Sequence, residues 1–221
     1  MTGISIISVD GSVVDGITIT NIAMEDIHAP IYIRLANRGR DNPHTPPQPG
    51  KVRNIVISNI TARHSIYASS ITAISGCYVE NVVLDNLNFG VKGGGNNVLA
   101  EKVIHESTDW YPDANCWRDM PASGFFVRNV KGLDMRTIRI RLDEQDERPV
   151  LIFDNAKEIN VNNFKMDSYP NGHAAIRLTG VENAKFADIS FQPTEYDFDL
   201  RGQNDITSII HESPNNKVHN H

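Results

Sequence analysis

The residues best suited to chemistry in this chain are arginines that close short apolar runs: Ile-Tyr-Ile-Arg34, Phe-Phe-Val-Arg128, Ala-Ala-Ile-Arg177 and Phe-Asp-Leu-Arg201, with Arg38 and Arg40 just beyond the first. A guanidinium presents a planar fork that holds a carboxylate bidentately, so a series of them suits a ligand with repeated acidic groups. Aligning the runs places the four arginines at one structural position, with Ser75 and Phe153 there in two other units. The same residues have a plainer use, each pairing with a local acid such as Asp154 or Asp199 as weak surface ion pairs do. A second concentration lies in "WYPDANCWRDMP", which holds Trp110, Tyr111 and Trp117, including both tryptophans of the chain. Aromatic faces cover the apolar C–H faces of sugar rings, and they also pin loops to a protein body; the two roles are compatible.

Other groups that could act on a substrate lack partners at a useful spacing. His173 stands in "NGHAAIRL" with no paired carboxylates before it, and reads as a surface or corner histidine. The acids of "DEQDER", 143–148, read as a solvated turn, and Asp109, Asp113 and Asp119 share the aromatic segment without a paired position on adjacent strands. We therefore assign no catalytic residue, no metal site and no cofactor from the sequence. Cys77 and Cys116 lack metal-site spacing and would pair only if the fold brought them together. The end of the chain, "HESPNNKVHNH", carries histidines capable of chelation but reads as a polar, frayed tail.

The elements that must position these residues follow from a repeat. The pattern aliphatic-x-aliphatic-x-(Asn/Thr/Asp)-apolar occurs at 17, 55, 82, 133, 159 and 184, at intervals of 38, 27, 51, 26 and 25 residues. One period of about 26 residues with two insertions accounts for this spacing, and such periods signal solenoids. Alternation with period two and abundant β-branched residues predict strands, and no helical periodicity is sustained. Most units hold a second strand, such as "IYIRLA" at 31 and "VLIFDN" at 150. Short strands without hairpin turns suit one coil of a parallel β-helix. Asn21, Asn59, Asn86, Thr137, Asn163 and Asp188 then fall in one column, where side-chain amides hydrogen-bond down the stack. The expected organisation is an all-β domain over 1–204 of about six to seven coils, with insertions at about 37–50 and 90–123. A final partial coil and tail occupy 205–221.

Bulk composition narrows the partners. The formal net charge is −6, which gives no basic field for nucleic acid, and no run approaches the roughly 18 apolar residues of a membrane span. The apolar, β-prone "ISIISV" at 4–9 is a poor cap for a stack, so the N-terminal coil is expected to be covered by a second copy or a partner chain.

The stretches "VVDGITITNIAMEDIHAPIYIRLANRGR", "GKVRNIVISNI", "SSITAISG" and "YPDANCWRDMPASGFFVRNVKGL" resemble the C-terminal half of polygalacturonase-like enzymes, the family 28 glycoside hydrolases, over roughly residues 3–183. The resemblance implies a right-handed parallel β-helix, a groove for pectin-type acidic polysaccharide, inverting hydrolysis by two separated carboxylates, and a secreted or periplasmic setting. The family's four catalytic motifs, Asn-Thr-Asp, Asp-Asp, Gly-His-Gly and Arg-Ile-Lys, are not present in this sequence. The chain is accordingly expected to supply scaffold and substrate contacts, through Arg34, Arg38, Arg40, Trp110, Tyr111, Trp117, Arg128 and Arg177, without hydrolase activity of its own. The alternatives are a non-catalytic module that binds acidic polysaccharide and a structural assembly protein.

Overall fold

The computed structural model describes residues 1–40, 48–106, 113–166, 172–192, 194–205, 209–211 and 217–221. The described residues are all-β apart from one short α-helix, Asn97–Ala100 (α1), and one turn of 3-10 helix, Ala114–Trp117. No helix among the described residues is long and apolar enough to cross a membrane.

Among the described residues, thirteen strands build two parallel ladders. The first runs through β1 (Ile4–Ser8), β3 (Ile31–Leu35), β5 (Ser69–Ala73), β7 (Phe125–Glu144), β8 (Leu151–Met166), β9 (Ala174–Thr179), β11 (Tyr196–Arg201) and β13 (Val218–Asn220). The second runs through β2 (Val13–Glu25), β4 (Lys51–Ser65), β6 (Val79–Gly93), β7, β8, β10 (Glu182–Ser190) and β12 (Ile209–His211). The long strands β7 and β8 belong to both. Every pair among the described strands is parallel, and the arrangement fits a solenoid of the β-helix kind.

The long strands bend where the sequence predicts its column. Asn21, Asn59, Asn86, Thr137, Asn163 and Asp188 all have φ between 51° and 61°. Asparagine and aspartate tolerate this left-handed region because their short polar side chains bond locally. Asn59 Nδ2 donates to Asn21 Oδ1 at 3.1 Å, and Asn86 Nδ2 to Asn59 Oδ1 at 2.8 Å, so the column is a ladder of side-chain amides. A parallel row of bends holds Asn54, Asn81, Glu158 and Asn183, where Asn81 Nδ2 donates to Asn54 Oδ1 at 3.1 Å. A third joins Asn155 Nδ2 to Asn129 Oδ1 at 2.6 Å.

Alternate residues of both ladders point inward and close a continuous core that includes Ile33, Ile57, Leu84, Phe89, Phe125, Phe153, Phe164 and Phe186, each at most 1% exposed. At the N-terminal edge, β2 pairs with β4 alone among the described strands, and its Val13 and Ile22 are 62% and 36% exposed. At the other end, part of the expected tail is strand. Val218–Asn220 continues the first ladder beside Phe198–Leu200, because an extended segment there satisfies the open edge of β11.

Candidate functional site

The strand register corrects the sequence alignment of the arginines. Ile7, Arg34, Thr72, Arg128, Asp154, Thr179 and Arg201 form one row across the first ladder. Arg177 stands in the neighbouring row, paired with Ile152 on one side and Asp199 on the other. Thr72 and Asp154, rather than Ser75 and Phe153, occupy the two remaining units; Phe153 is in the core. For Arg177 the displacement is two residues, which keeps every side chain on the same face of a strand, so the apolar alternation alone cannot detect it.

These arginines hold the second insertion against the stack. Arg34 Nη2 donates to Glu106 O at 2.5 Å, Arg128 Nη1 to Ile104 O at 2.5 Å, and Arg177 Nη1 to Ala100 O at 2.6 Å. The segment from Ala100 to Glu106 is thus a strap laid across successive strands, with an arginine under each of three carbonyls. Its own side chains complete the clamp. Glu106 Oε1 accepts from the Ser75 amide and hydroxyl at 2.7 and 2.6 Å, while Glu101 accepts from Arg177 Nη2 at 2.6 Å and Arg201 Nη2 at 2.9 Å. The hydrogen bond from Arg201, supported by the Arg177 charge, holds the Glu101 carboxyl at about 2 against the upward push of burial. The local acids named from sequence are also engaged: Arg128 Nε donates to Asp154 Oδ2 at 2.6 Å, and Arg177 Nε to Asp199 Oδ2 at 3.0 Å.

Behind the strap the insertion carries its own small core. Trp117 is 6% exposed and packs in a cluster with Tyr32 of β3, Phe126 of β7 and Ile152 of β8, together with Ala68, Ile104 and Met120. The Arg34 guanidinium lies 4.5 Å over the Trp117 ring, a cation–π contact that offsets part of its desolvation; burial lowers the Arg34 pKa. Trp117 therefore pins the loop. Trp110, Tyr111 and Asp109 lie outside the described residues. Asp113 caps the 3-10 turn through the Asn115 amide at 2.8 Å, and Asp119 faces Lys102 at 3.7 Å.

The run 143–148 differs from the solvated turn that its charges suggest. Asp146 is buried, accepts the Gly95 amide at 3.0 Å and pairs with Arg148, whose Nη1 reaches Met120 O at 2.9 Å. One buried ion pair thus ties both ends of the insertion together, and its remaining lone pairs and protons are satisfied, as a desolvated pair requires. On the first insertion, Arg38 is paired with Asp10, while Arg40 lies 4.0 Å from the same carboxylate with a side chain 68% exposed. Cys77 and Cys116 are not joined in a disulfide.

A second basic group went unnoticed in the sequence. Arg139 and Arg141 in β7 and Lys165 in β8 are exposed, Arg139 is directly paired in register with Lys165, and none of the three has an ion-pair partner among the described residues. Asn88, Asn86, Asn163 and Thr137 line the same shallow groove as Arg139 and Lys165, and Arg141 continues toward Arg63 and His64. The signal was present in "RTIRIR", where basic residues at 139 and 141 alternate with inward isoleucine and leucine. This surface offers fixed cations beside neutral amide donors, the chemistry that binds carboxylates linked by hydroxyl-rich groups.

Against known proteins, the chain matches no family model and no curated sequence.

Proposed function

We propose that this chain is the C-terminal part of a polygalacturonase-like glycoside hydrolase, a right-handed parallel β-helix of about six to seven coils that holds a pectin-type acidic polysaccharide. The motifs quoted above support the family reading, and the wholly parallel ladders with stacked asparagine bends support the coil. The observation that carries the binding reading is the open row Arg139–Lys165 with Arg141, whose charges face solvent while Arg34, Arg128 and Arg177 are turned to the strap. Arg40 adds an exposed charge on the first insertion. In this reading Arg34, Arg128, Arg177 and Trp117 serve the polymer by shaping the insertion.

A non-catalytic binding module is the second reading, favoured because the open basic row is complete within this chain. Incubation of the pure chain with polygalacturonate separates the outcomes. Co-sedimentation with the polymer and no release of reducing ends is expected. Absence of co-sedimentation at low salt would refute both readings, and release of reducing ends would place catalysis within the chain.

A further inference from the structure

Four side chains converge at the end of the first ladder, Asp199 of β11, His219 of β13, His173 just before β9 and His221 just after β13, each with a ligand atom within 4.8 Å of the others. Their sequence spacing matches no metal motif; they meet only because β13 stacks on β11. Asp199 and His219 are direct register partners, and His219 and His221 alternate onto the same side of β13. The rings of His173 and His219 are 5.1 Å apart, and those of His219 and His221 4.2 Å.

Two buried polar atoms here have no hydrogen-bond partner, Asp199 Oδ1 and His219 Nδ1. Leaving such groups unsatisfied is costly, and an orphaned carboxylate oxygen in a side chain with no exposure is unusual. They face each other at 3.7 Å, too far for a hydrogen bond, and His221 Nε2 lies 3.3 Å from the same oxygen. Ligand atoms around a tetrahedral ion with bonds of about 2.0–2.1 Å are separated by about 3.3 Å, so these two spacings are already near those of a coordinated set. Glu195 Oε2 holds Nδ1 of His173 at 2.9 Å, the carboxylate support that orients a metal-binding imidazole and leaves its Nε2 as donor. The other oxygen of Asp199 accepts from Arg177 and Arg201 at 3.0 and 2.7 Å. With Glu101 and Glu195 nearby, three carboxylates outweigh two guanidiniums before any cation enters.

We propose that His173, Asp199, His219 and His221 form a binding site for a divalent transition-metal ion of the zinc type, which clips β13 onto the stack. Three imidazoles and one carboxylate suit zinc in preference to magnesium or calcium, which take oxygen ligands. Four protein ligands fill a tetrahedral ion, so the site is structural: it leaves no open position for substrate.

The test is titration of the chelator-treated chain with Zn²⁺ alone against a chromophoric competitor, followed by Co²⁺ absorption and thermal melting. One equivalent is expected to bind with Kd below about 1 µM. The melting temperature should rise by about 5 °C at saturating zinc. Co²⁺ should give the intense visible bands of a tetrahedral site. His219→Ala should weaken binding by more than about 100-fold and Glu195→Gln by about 10-fold. If His219→Ala fails to fold, His221→Ala, at an exposed ring, reads the same loss. Absence of zinc binding, wild-type affinity in His221→Ala, or an octahedral Co²⁺ spectrum would each overturn the proposal.

Discussion

Arg128 and Arg139 lie in the same strand, β7, and end in opposite situations. Arg128 is clamped between Asp154 and the Ile104 carbonyl, with its guanidinium 4.9 Å over the Phe126 ring. Arg139 stands on an open groove beside Lys165 and Asn88. The left-handed bends at Asn129 and Thr137 separate them, turning the first part of β7 toward the insertion and the later part toward solvent. A cation's local sequence therefore says little about its role here. What decides is whether another segment covers that face, and a covered arginine must find carbonyls and carboxylates because leaving it unpaired is costly.

Substitutions separate the two faces by size of effect. Arg177→Ala removes one of the two guanidiniums that hold the buried Asp199 carboxylate, together with the donor to a strap carbonyl, and should cost about 3–5 kcal/mol in urea unfolding. Trp117→Ala should cost about 3 kcal/mol and loosen the insertion, read as new protease cleavage between the strap and β7 with the rest of the stack intact. A loss below about 1 kcal/mol for either would mean that the insertion is not part of the cooperative fold. On the bends, Asn59→Ala forces an alanine into φ 55° and removes two hydrogen bonds between side-chain amides, for a cost of about 1–3 kcal/mol; Asn59→Gly should recover the backbone share of that cost. Arg139→Ala should change stability by less than about 0.5 kcal/mol.

The pH response sharpens the same contrast. The folded Glu101 pKa, about 2, lies below its ordinary 4.5, so its contribution is present above the higher value and is lost as pH falls toward the lower one. The melting difference between wild type and Glu101→Gln should therefore shrink as pH falls from about 5 to about 2. Its carboxylate is half exposed, which keeps the effect small. A difference independent of pH across that window would show that the strap does not depend on the ionised carboxylate.

Much of this architecture is legible in the sequence. The asparagine column and the alternation that fills the core follow from period and residue type, and both appear in register in the stack. The row position of Arg177 was not legible, since a slip of two residues preserves the alternation. Nor was the burial of Asp146, whose run reads as solvated until the insertion folds over it. The His173–Asp199–His219–His221 cluster depends on a short polar strand, Val218–Asn220, whose pairing is set by an edge that no local pattern announces.

The polyanion-binding role proposed for the open basic row is tested most directly by calorimetric titration with an oligogalacturonate. The wild-type chain should bind with an affinity that falls as salt rises. The triple variant Arg139→Glu, Arg141→Glu, Lys165→Glu should lose at least about 10-fold in affinity while melting close to wild type. Equal affinity in the folded triple variant, or no binding by the wild-type chain at low salt, would contradict the account.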